Sequence, residues 1–389
     1  MHFSKYVAYL GDKKTIDVKY EKDSNPEDIS KRINNLIKDI LIDTHLLDIL
    51  MKRESGKIMN SRQLEYMTPK YQKRYIWDSA ALSNNYNIQV IIVKNYLSKK
   101  QNYTFERSLK KAIDNFAKKL QDTVNFSITI ENLYGININN FIETDLTEKK
   151  FIPIGSKVEG LMTTIDQQLL PSLSIDPYLK LVLIEHDVDF TFIDENGDDI
   201  KGIIAAAWGS FVPLVMEKSL NDVDEYNEKL KHITSFLFGS MKTLLGIHSD
   251  LLPVYQKTKI PLSEWEIQKY KFRFFVDKVL STIHHIKSTN SLIHKVENME
   301  ISENIASKMN EAIDLLLEEL NKFEKTGIIK LDGIKRAAML SEFVSSDSSL
   351  VSLLYFPSDQ KIGVYLPIAL PALFPVIISL IKLLKKEKN

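Results

Sequence analysis

The chain has 389 residues, enough for one or two folded domains with a sizeable hydrophobic core. Lys plus Arg and Asp plus Glu both total 51, and this zero net charge argues against nucleic-acid binding through a basic surface. The absence of cysteine excludes disulfide bonds, thiolate metal sites and a cysteine nucleophile in this chain.

The first third of the chain predicts an α/β arrangement. Ser24-Asn25-Pro26-Glu27-Asp28 combines a capping side chain, an early proline and first-turn carboxylates, which indicates a helix start. Apolar residues then recur at helical spacing from Ile29 to Leu50. Further on, Asn87–Val93 predicts a buried strand, Phe105–Leu120 an amphipathic helix, and Phe126–Ile130 a second strand. This order is typical of a crossover unit.

The middle of the chain predicts more strands. Leu179–Ile184 is a continuous apolar segment that suits a buried strand. Val188–Ile193 alternates, and we expect it to pair with Ile200–Ile204 through the turn residues Asn196-Gly197.

The acidic turn of this hairpin also suggests a calcium loop beginning at Asp194. The sixth position is Asp199 rather than glycine, and the twelfth is Ala205 rather than glutamate, so a hairpin turn is the better interpretation. Trp208-Gly209 follows, a pair typical of a bulge or of close packing.

The chain then becomes mostly helical. Asp224–Leu245 predicts a helix that Gly246 ends, and Ser263 opens another that continues to about Lys287. Two further helices are expected, one beginning at Ile301-Ser302-Glu303 and one over Ile334–Val344.

The last apolar segment, Ile362–Ile381, contains no charged residue and has the length of about 20 residues that a helix needs to cross a bilayer. Pro367, Pro371 and Pro375 recur every four residues, so they share one helix face. Prolines are tolerated in a membrane helix when neighbouring protein groups satisfy the freed carbonyls, so we expect this face to pack against other membrane helices.

The charges beside this segment predict its orientation. Lys361 is the cation just before it, and the residues after it include Lys382, Lys385, Lys386, Glu387 and Lys388. Basic residues favour the cytosolic side, which predicts a cytosolic tail and a body across the membrane. Since the start at Met1 does not resemble a signal peptide, we expect a further anchor upstream. A tail-anchored protein with a cytosolic body is the alternative; a cleaved lipid-anchor signal is excluded because Leu353–Pro357 is not polar.

The region from Ser349 to Pro375 resembles the C-terminal signature of the phosphatidylinositol-glycan class S (PIG-S) proteins. These are subunits of the glycosylphosphatidylinositol (GPI) transamidase of the endoplasmic reticulum. The resemblance extends to the luminal region of that family, although the family has a second membrane helix near the N-terminus that this sequence lacks. The residues that carry the resemblance include Tyr355, Phe356, Pro357, Asp359, Gln360, Lys361, the three prolines, Trp208, Gly209, Asn125-Phe126-Ser127, Leu244–Ile247 and Trp265-Glu266.

The resemblance implies a non-catalytic membrane subunit of the GPI transamidase complex, which supports attachment of GPI anchors to the C-terminus of precursor proteins by assembly or substrate presentation. The implied partners are a PIG-K-like catalytic subunit carrying the cysteine, PIG-T, PIG-U and a Gaa-type subunit, with no cofactor, metal or nucleic acid. The expected fold is a mixed-sheet α/β luminal domain (1–260), a helical luminal section (261–357), a transmembrane helix (358–382) and a basic cytosolic tail (383–389).

Few residues suggest catalysis in the chain itself. His284-His285 with His294 could suggest metal ligands, but adjacent histidines on a helix point about 100° apart, which favours a solvated helix surface. Glu185-His186-Asp187 follows a strand end, which leaves a stand-alone hydrolase, luminal or tail-anchored, as the alternative function. The tripeptides that begin at Asn102 and Asn125 are N-glycosylation acceptors if the body is luminal.

Overall fold

The structure is a computed structural model of the chain, which divides into two compact units, Met1–Asp277 and Lys278–Asn389. It confirms an α/β protein with mixed sheets and a helical C-terminal part. The residues that it describes are 6–10, 16–20, 25–42, 44, 47–48, 51, 82–94, 103–169, 176–186, 189–205, 208–215, 223–247, 255–257, 261–295, 301–348, 350 and 358–386.

The first unit is built on a five-stranded sheet. Its strands are β3 (Asn85–Lys94), β4 (Asn125–Tyr134), β7 (Tyr178–His186), β10 (Ile203–Ala205) and β11 (Gly209–Val215). The central strand β3 is buried along almost its whole length, as expected for a parallel strand covered on both faces. It pairs in parallel with β4 on one side and β7 on the other, β11 extends the parallel part beyond β7, and β10 closes that edge as an antiparallel strand.

Three helices accompany this sheet: α2 (Tyr103–Lys118), α3 (Ser156–Gln168) and α4 (Val223–Leu244). Helix α2 connects β3 to β4, which confirms the predicted strand–helix–strand unit. Phe116 of α2 stacks on Phe238 of α4 with ring centroids 5.1 Å apart.

A buried cluster joins the sheet to α3 and to a second, four-stranded sheet. Ile91 and Ile184 of the first sheet contribute to it, with Leu161 of α3 and Phe192 of the second sheet. That sheet has the order β5-β6-β8-β9, formed by β5 (Glu143–Thr144), β6 (Lys150–Pro153), β8 (Thr191–Ile193) and β9 (Asp199–Ile200).

The hairpin predicted over residues 188–204 is shorter than expected. Strand β8 pairs with β9, but β10 leaves the hairpin and pairs with β11 of the other sheet, so the predicted pairing up to Ile204 is wrong. Gly202 lies between β9 and β10, and a Cβ there would lie 2.6 Å from the carbonyl oxygen of Phe211 and 2.4 Å from the Phe236 ring. The chain therefore changes sheets where a residue without a side chain fits.

The described residues near the N-terminus include a small sheet and helix α1. Strand β1 (Tyr6–Leu10) lies between β2 (Ile16–Tyr20) and β12 (Tyr255–Lys257). Helix α1 (Pro26–Leu36) begins as predicted, since Asn25 accepts a hydrogen bond from the Glu27 amide. A π-helical segment, Ile37–Ile42, follows.

The described C-terminal residues contain the helices α5 (Glu264–Lys295), α6 (Glu303–Thr326), α7 (Asp332–Ser345) and α8 (Ser358–Lys386). Ser302 caps α6 and Gly327 ends it in the left-handed conformation, as its missing side chain allows. Helix α8 contains Pro367, Pro371 and Pro375 in its interior. Within the part of the chain that the structure describes, no helix has both the length and the apolar content needed to cross a membrane, so the predicted span is not confirmed.

Candidate functional site

The carboxyl ends of the parallel strands form one edge of the five-stranded sheet. Because β4 lies on one side of β3 and β7 on the other, the strand order reverses between β3 and β7. Open α/β sheets bind ligands at such a switch point. Lys94 ends β3 opposite Glu185, and His186 ends β7. This switch-point edge, defined by Lys94, Glu185 and His186, is where the fold favours a site.

Lys94 is buried at this edge and already has partners. Its Nζ lies 3.3 Å from Oε1 of Glu106, which belongs to the first turn of α2, and the same oxygen accepts a hydrogen bond from Asn132 Nδ2 at 3.2 Å. Lys94 is 5% exposed, so its charge depends on this carboxylate for compensation. The arrangement ties α2 to the ends of β3 and β4.

His186 is also buried, and its ring is held by Asn139 and Phe190. Nε2 lies 3.2 Å from the amide oxygen of Asn139, and this bond requires the proton to be on Nε2 because an amide oxygen only accepts. The Phe190 ring meets the imidazole edge-on with centroids 5.9 Å apart. Glu185 and His186 are neighbours in a strand, so their side chains point to opposite faces of the sheet. The two residues therefore do not form an acid–base pair.

The histidines considered as metal ligands on α5 are not accompanied by further ligands in the described residues. His284 and His285 lie on α5 with ring centroids 6.1 Å apart, and His285 Nδ1 lies 3.4 Å from Oγ of Ser341. Across the described ranges, no group of three or more His, Asp or Glu side chains is arranged to hold a metal ion.

Trp208 and Gly209 lie at the opposite, amino-terminal edge of the same sheet. Trp208 Nε1 donates to Oδ2 of Asp166 at 2.8 Å, while Lys180 Nζ lies 2.6 Å from Oδ1 of the same carboxylate. The ammonium also lies 4.9 Å from the Trp208 ring centroid, and this ring stacks on Phe211 at 4.9 Å. One carboxylate thus joins α3, β7 and the residue just before β11.

Gly209 completes this joint through close backbone contact. It pairs in register with Lys180, and a Cβ at Gly209 would lie 2.1 Å from the Lys180 carbonyl oxygen. The close packing predicted from Trp208-Gly209 is therefore observed. The two residues have a structural role, since they hold the start of β11 against β7.

Asn125 is exposed at the first position of β4, with Ser127 exposed two residues later. Its Nδ2 donates to Oδ1 of Asn85 at 3.2 Å. Asn102 lies outside the described residues.

The C-terminal signature is described in part. Tyr355, Phe356 and Pro357 lie outside the described residues, while Asp359, Gln360 and Lys361 lie in the first turn of α8. Farther along the helix, a groove is lined by Pro371, Phe374, Pro375, Ile378 and Ser379.

The prolines also leave backbone oxygens without their usual donors. A proline removes the amide that would bond to the carbonyl four residues earlier, so the carbonyls of Gly363, Pro367 and Pro371 lack that bond. Pro367, Pro371 and Pro375 are all exposed. We define the proline face as these three residues together with Gly363.

Sequence reasoning missed several buried polar groups that hold the first unit together. Lys242 of α4 lies 2.6 Å from Glu266 of α5, whose other carboxylate oxygen accepts bonds from Ser263 N at 2.9 Å and Ser263 Oγ at 2.7 Å. The S-x-x-E spacing at the start of α5 was the sequence signal for the contact between Ser263 and Glu266. The partner of Lys242 is distant in sequence, and nothing local indicates it.

Two buried tyrosines lie away from the switch-point edge. Burial raises the pKa of Tyr270 well above its usual value, and burial is also the main cause of the raised pKa of Tyr86. Both phenols therefore stay neutral at physiological pH and act as packing groups.

The sequence matches the family model for "Phosphatidylinositol-glycan biosynthesis class S protein" over residues 2–389. It is similar to the GPI-anchor transamidase component PIGS of Mus musculus, with 20% identity over 303 residues, which are 74% of this chain and 54% of that protein. The component of the same name from Homo sapiens is 20% identical over 302 residues, again 74% of this chain and 54% of the relative. The chain spans about half the length of the curated relatives it matches.

Proposed function

The chain belongs to the phosphatidylinositol-glycan biosynthesis class S family, and from this we propose that it is a non-catalytic subunit of a GPI transamidase complex. In this role it supports the attachment of GPI anchors to the C-terminus of precursor proteins, by assembling the complex or by presenting substrate. The match over residues 2–389 is the observation that carries the proposal.

The chemistry of the chain supports an accessory role. A transamidase that works through a cysteine thiolate needs that residue, and this chain has no cysteine among its 389 residues. The catalytic cysteine then belongs to another subunit, which we propose to be PIG-K-like. PIG-T, PIG-U and a Gaa-type subunit complete the proposed set of partners.

The geometry at the switch-point edge does not favour the hydrolase alternative. His186 is held by Asn139, and Glu185 lies on the other face of the sheet. Lys94 is neutralised by Glu106. These groups support the sheet edge rather than providing an exposed acid and base.

We place the proposed subunit in the endoplasmic reticulum membrane, with the body luminal and the C-terminal lysines cytosolic. The apolar surface of helix α8 supports the membrane association in this proposal, since Leu366, Ile368, Phe374 and Ile377 are all more than half exposed to solvent. Large apolar side chains that are this exposed indicate a surface that contacts lipid or another protein.

The proline face gives a reason for α8 to be embedded together with partner helices rather than alone. Three carbonyls on this face lack their intrahelical donors, and in lipid such groups need donors from neighbouring protein.

Purification from detergent-solubilised membranes tests the proposed function. We expect an affinity-tagged chain to recover a cysteine-protease-like subunit and anchor-attachment activity, and we expect the separated chain to have no peptide-cleaving activity. Recovery of a single active species that contains this chain alone would contradict the proposal. Cells that lack the chain should accumulate precursors with uncleaved C-terminal signals, and restoring the chain should remove them.

A further inference from the structure

Leu146 is the most exposed large apolar side chain in the part of the chain that the structure describes. Its exposure is 105%, and the next in order, Ile368 of α8, is at 69%. Leu146 lies in the turn over residues 145–149, which connects β5 to β6 at the β5 edge of the four-stranded sheet. Single exposed leucines are common in folded proteins, so the turn around Leu146 decides whether the side chain has a role.

The turn is held in one conformation by hydrogen bonds to Asp145. Oδ1 of Asp145 accepts from the Thr147 amide at 2.8 Å, from the Thr147 hydroxyl at 2.7 Å and from the Lys149 amide at 2.9 Å. The backbone adds two bonds of 3.1 Å, from Asp145 N to Lys149 O and from Glu148 N to Asp145 O. The position of Leu146 is therefore fixed before anything binds to it.

The C-terminal half of the turn is also constrained. Glu148 has a φ of 63°, in the left-handed region that favours glycine. Lys149 Nζ lies 2.6 Å from Oδ2 of Asp199, which ties the end of the turn to β9. An apolar side chain on a turn that is already ordered loses little conformational entropy when it binds, and this favours its use as an interface anchor.

We propose that Leu146 is an apolar anchor that inserts into a pocket on another subunit of the complex, an inference that rests on the proposed function. The pocket is apolar inside and carries Lys or Arg at its rim, because Asp145 and Glu148 are exposed on either side of Leu146. Lys149, the cation of the turn, is paired with Asp199, so the two carboxylates dominate the charge around Leu146.

The same residues argue against a lipid surface as the occupant of this site. A carboxylate that enters a lipid surface loses hydration without gaining a partner, and Asp145 and Glu148 would both approach the surface with Leu146. One leucine side chain is also much smaller than the single acyl chain that gives only marginal membrane binding. A protein pocket with cationic neighbours meets both requirements.

Photo-crosslinking of the full-length chain in membranes tests the contact. An aliphatic diazirine amino acid in place of Leu146 should crosslink to one of the subunits recovered with the tagged chain. The same probe in place of Glu195, in the exposed turn between β8 and β9, should not crosslink to that subunit. A crosslink to lipid, the absence of a crosslink from position 146, or equal crosslinking from both positions would overturn the proposal.

Substitutions at the same position test whether the apolar side chain contributes affinity. Leu146→Ser should weaken binding of the crosslinked subunit to the immobilised chain by about 10- to 100-fold, because a buried leucine side chain is lost from the interface. Leu146→Met should retain binding, since methionine has a similar volume and fills apolar pockets. Both variants should unfold at the temperature of the unsubstituted chain, because residue 146 is fully exposed. Unchanged binding of Leu146→Ser would contradict the anchor.

Recovery of the subunits separates a failure of this inference from a failure of the proposed function. If the tagged chain recovers subunits and none of them crosslinks to position 146, the anchor is overturned and the proposed function stands. If the tagged chain recovers no subunit, the proposed function fails and the anchor fails with it.

Discussion

The ammonium of Lys242 lies 2.6 Å from the carboxylate of Glu266, and both side chains are almost completely buried, at 8% and 1% exposure. Because Ser263 donates twice to the second oxygen of Glu266, that buried carboxylate has partners on both of its oxygens. This contact joins the end of α4, at Leu244, to the start of α5, at Glu264.

Replacing Lys242 with methionine leaves the Glu266 carboxylate buried without its cation. We expect Lys242→Met to lower the free energy of unfolding by about 3–5 kcal/mol, the usual cost of breaking one side of a buried pair. Denaturant unfolding followed by circular dichroism measures the change. Glu264→Gln is the control, since this exposed neighbour should change stability by no more than about 0.5 kcal/mol. Equal losses in both variants would contradict the importance of the pair.

The backbone contact at Gly209 predicts a strong effect of a single added methyl group. Gly209→Ala places a Cβ 2.1 Å from the Lys180 carbonyl oxygen, so β7 and β11 must separate, and we expect a loss of about 1–3 kcal/mol or more. Gly239→Ala is the matched control, because no atom lies within 4 Å of its Cβ and it lies inside helix α4. That variant should gain about 0.5–1 kcal/mol from the helix preference of alanine. Thermal unfolding of the two variants in parallel would show shifts of opposite sign; a destabilised Gly239→Ala with an unchanged Gly209→Ala would refute the argument.

The turn between β8 and β9 predicts an acid-dependent contribution to stability. The amides of Asp198 and Asn196 donate to Asp194 Oδ1 at 2.8 and 2.9 Å, and the bond from Asp198 is the largest cause of the lowered pKa of Asp194. A lowered pKa in the folded state means that the contribution is present above the unfolded pKa of about 3.9 and is lost as the pH falls through the folded value. We therefore expect Asp194→Asn to show a smaller loss of stability on acidification than the unsubstituted chain.

Unfolding free energies measured from neutral to acidic pH test this difference. Glu195→Gln, in the same exposed turn, serves as the control and should keep the full acid dependence. The prediction fails if Asp194→Asn and the unsubstituted chain lose stability in parallel.

We expect substitutions on the proline face to weaken the binding of partner subunits without unfolding the first unit. Replacing Pro367, Pro371 and Pro375 together with leucine restores the missing amides and fills the groove, so we expect much less co-purification of partner subunits. A double control, Tyr365→Leu with Ala369→Leu, changes residues on the far side of the same helix and should leave recovery unchanged. Similar recovery from the triple variant and the control would show that the proline face does not bind a partner.

Local pattern was enough to predict most elements of the fold. The β-branched stretch at Asn87–Val93 is strand β3, and the apolar stretch at Leu179–Ile184 is strand β7, each extended by one or two residues at each end. The signal at Asn25-Pro26 starts α1, and Ser302 caps α6. These predictions succeeded because hydrophobic period and capping chemistry depend on residues a few positions apart.

Other features followed from the tertiary structure alone. Strand β11 was not predicted, and it contains Pro213, which lies beyond the three residues that pair with β10. Because no strand that the structure describes pairs with Pro213 on the β10 side, its missing backbone N–H leaves no hydrogen bond unmade there. The local sequence pattern does not show where the pairing with β10 stops. The transfer of β10 to the other sheet at Gly202 likewise depends on the positions of Phe211 and Phe236.

The sequence by itself determined the family, the α/β class and the absence of a thiol nucleophile, because each depends on residue identity or short-range spacing. The tertiary structure decided the contacts between distant residues. Lys94 pairs with Glu106 at the switch-point edge, where Glu185 and His186 point to opposite faces of the sheet. At the other end of the sheet, the Asp166 carboxylate contacts both Lys180 and Trp208. Those outcomes depend on strand order and register, which place residues distant in the chain within hydrogen-bond distance.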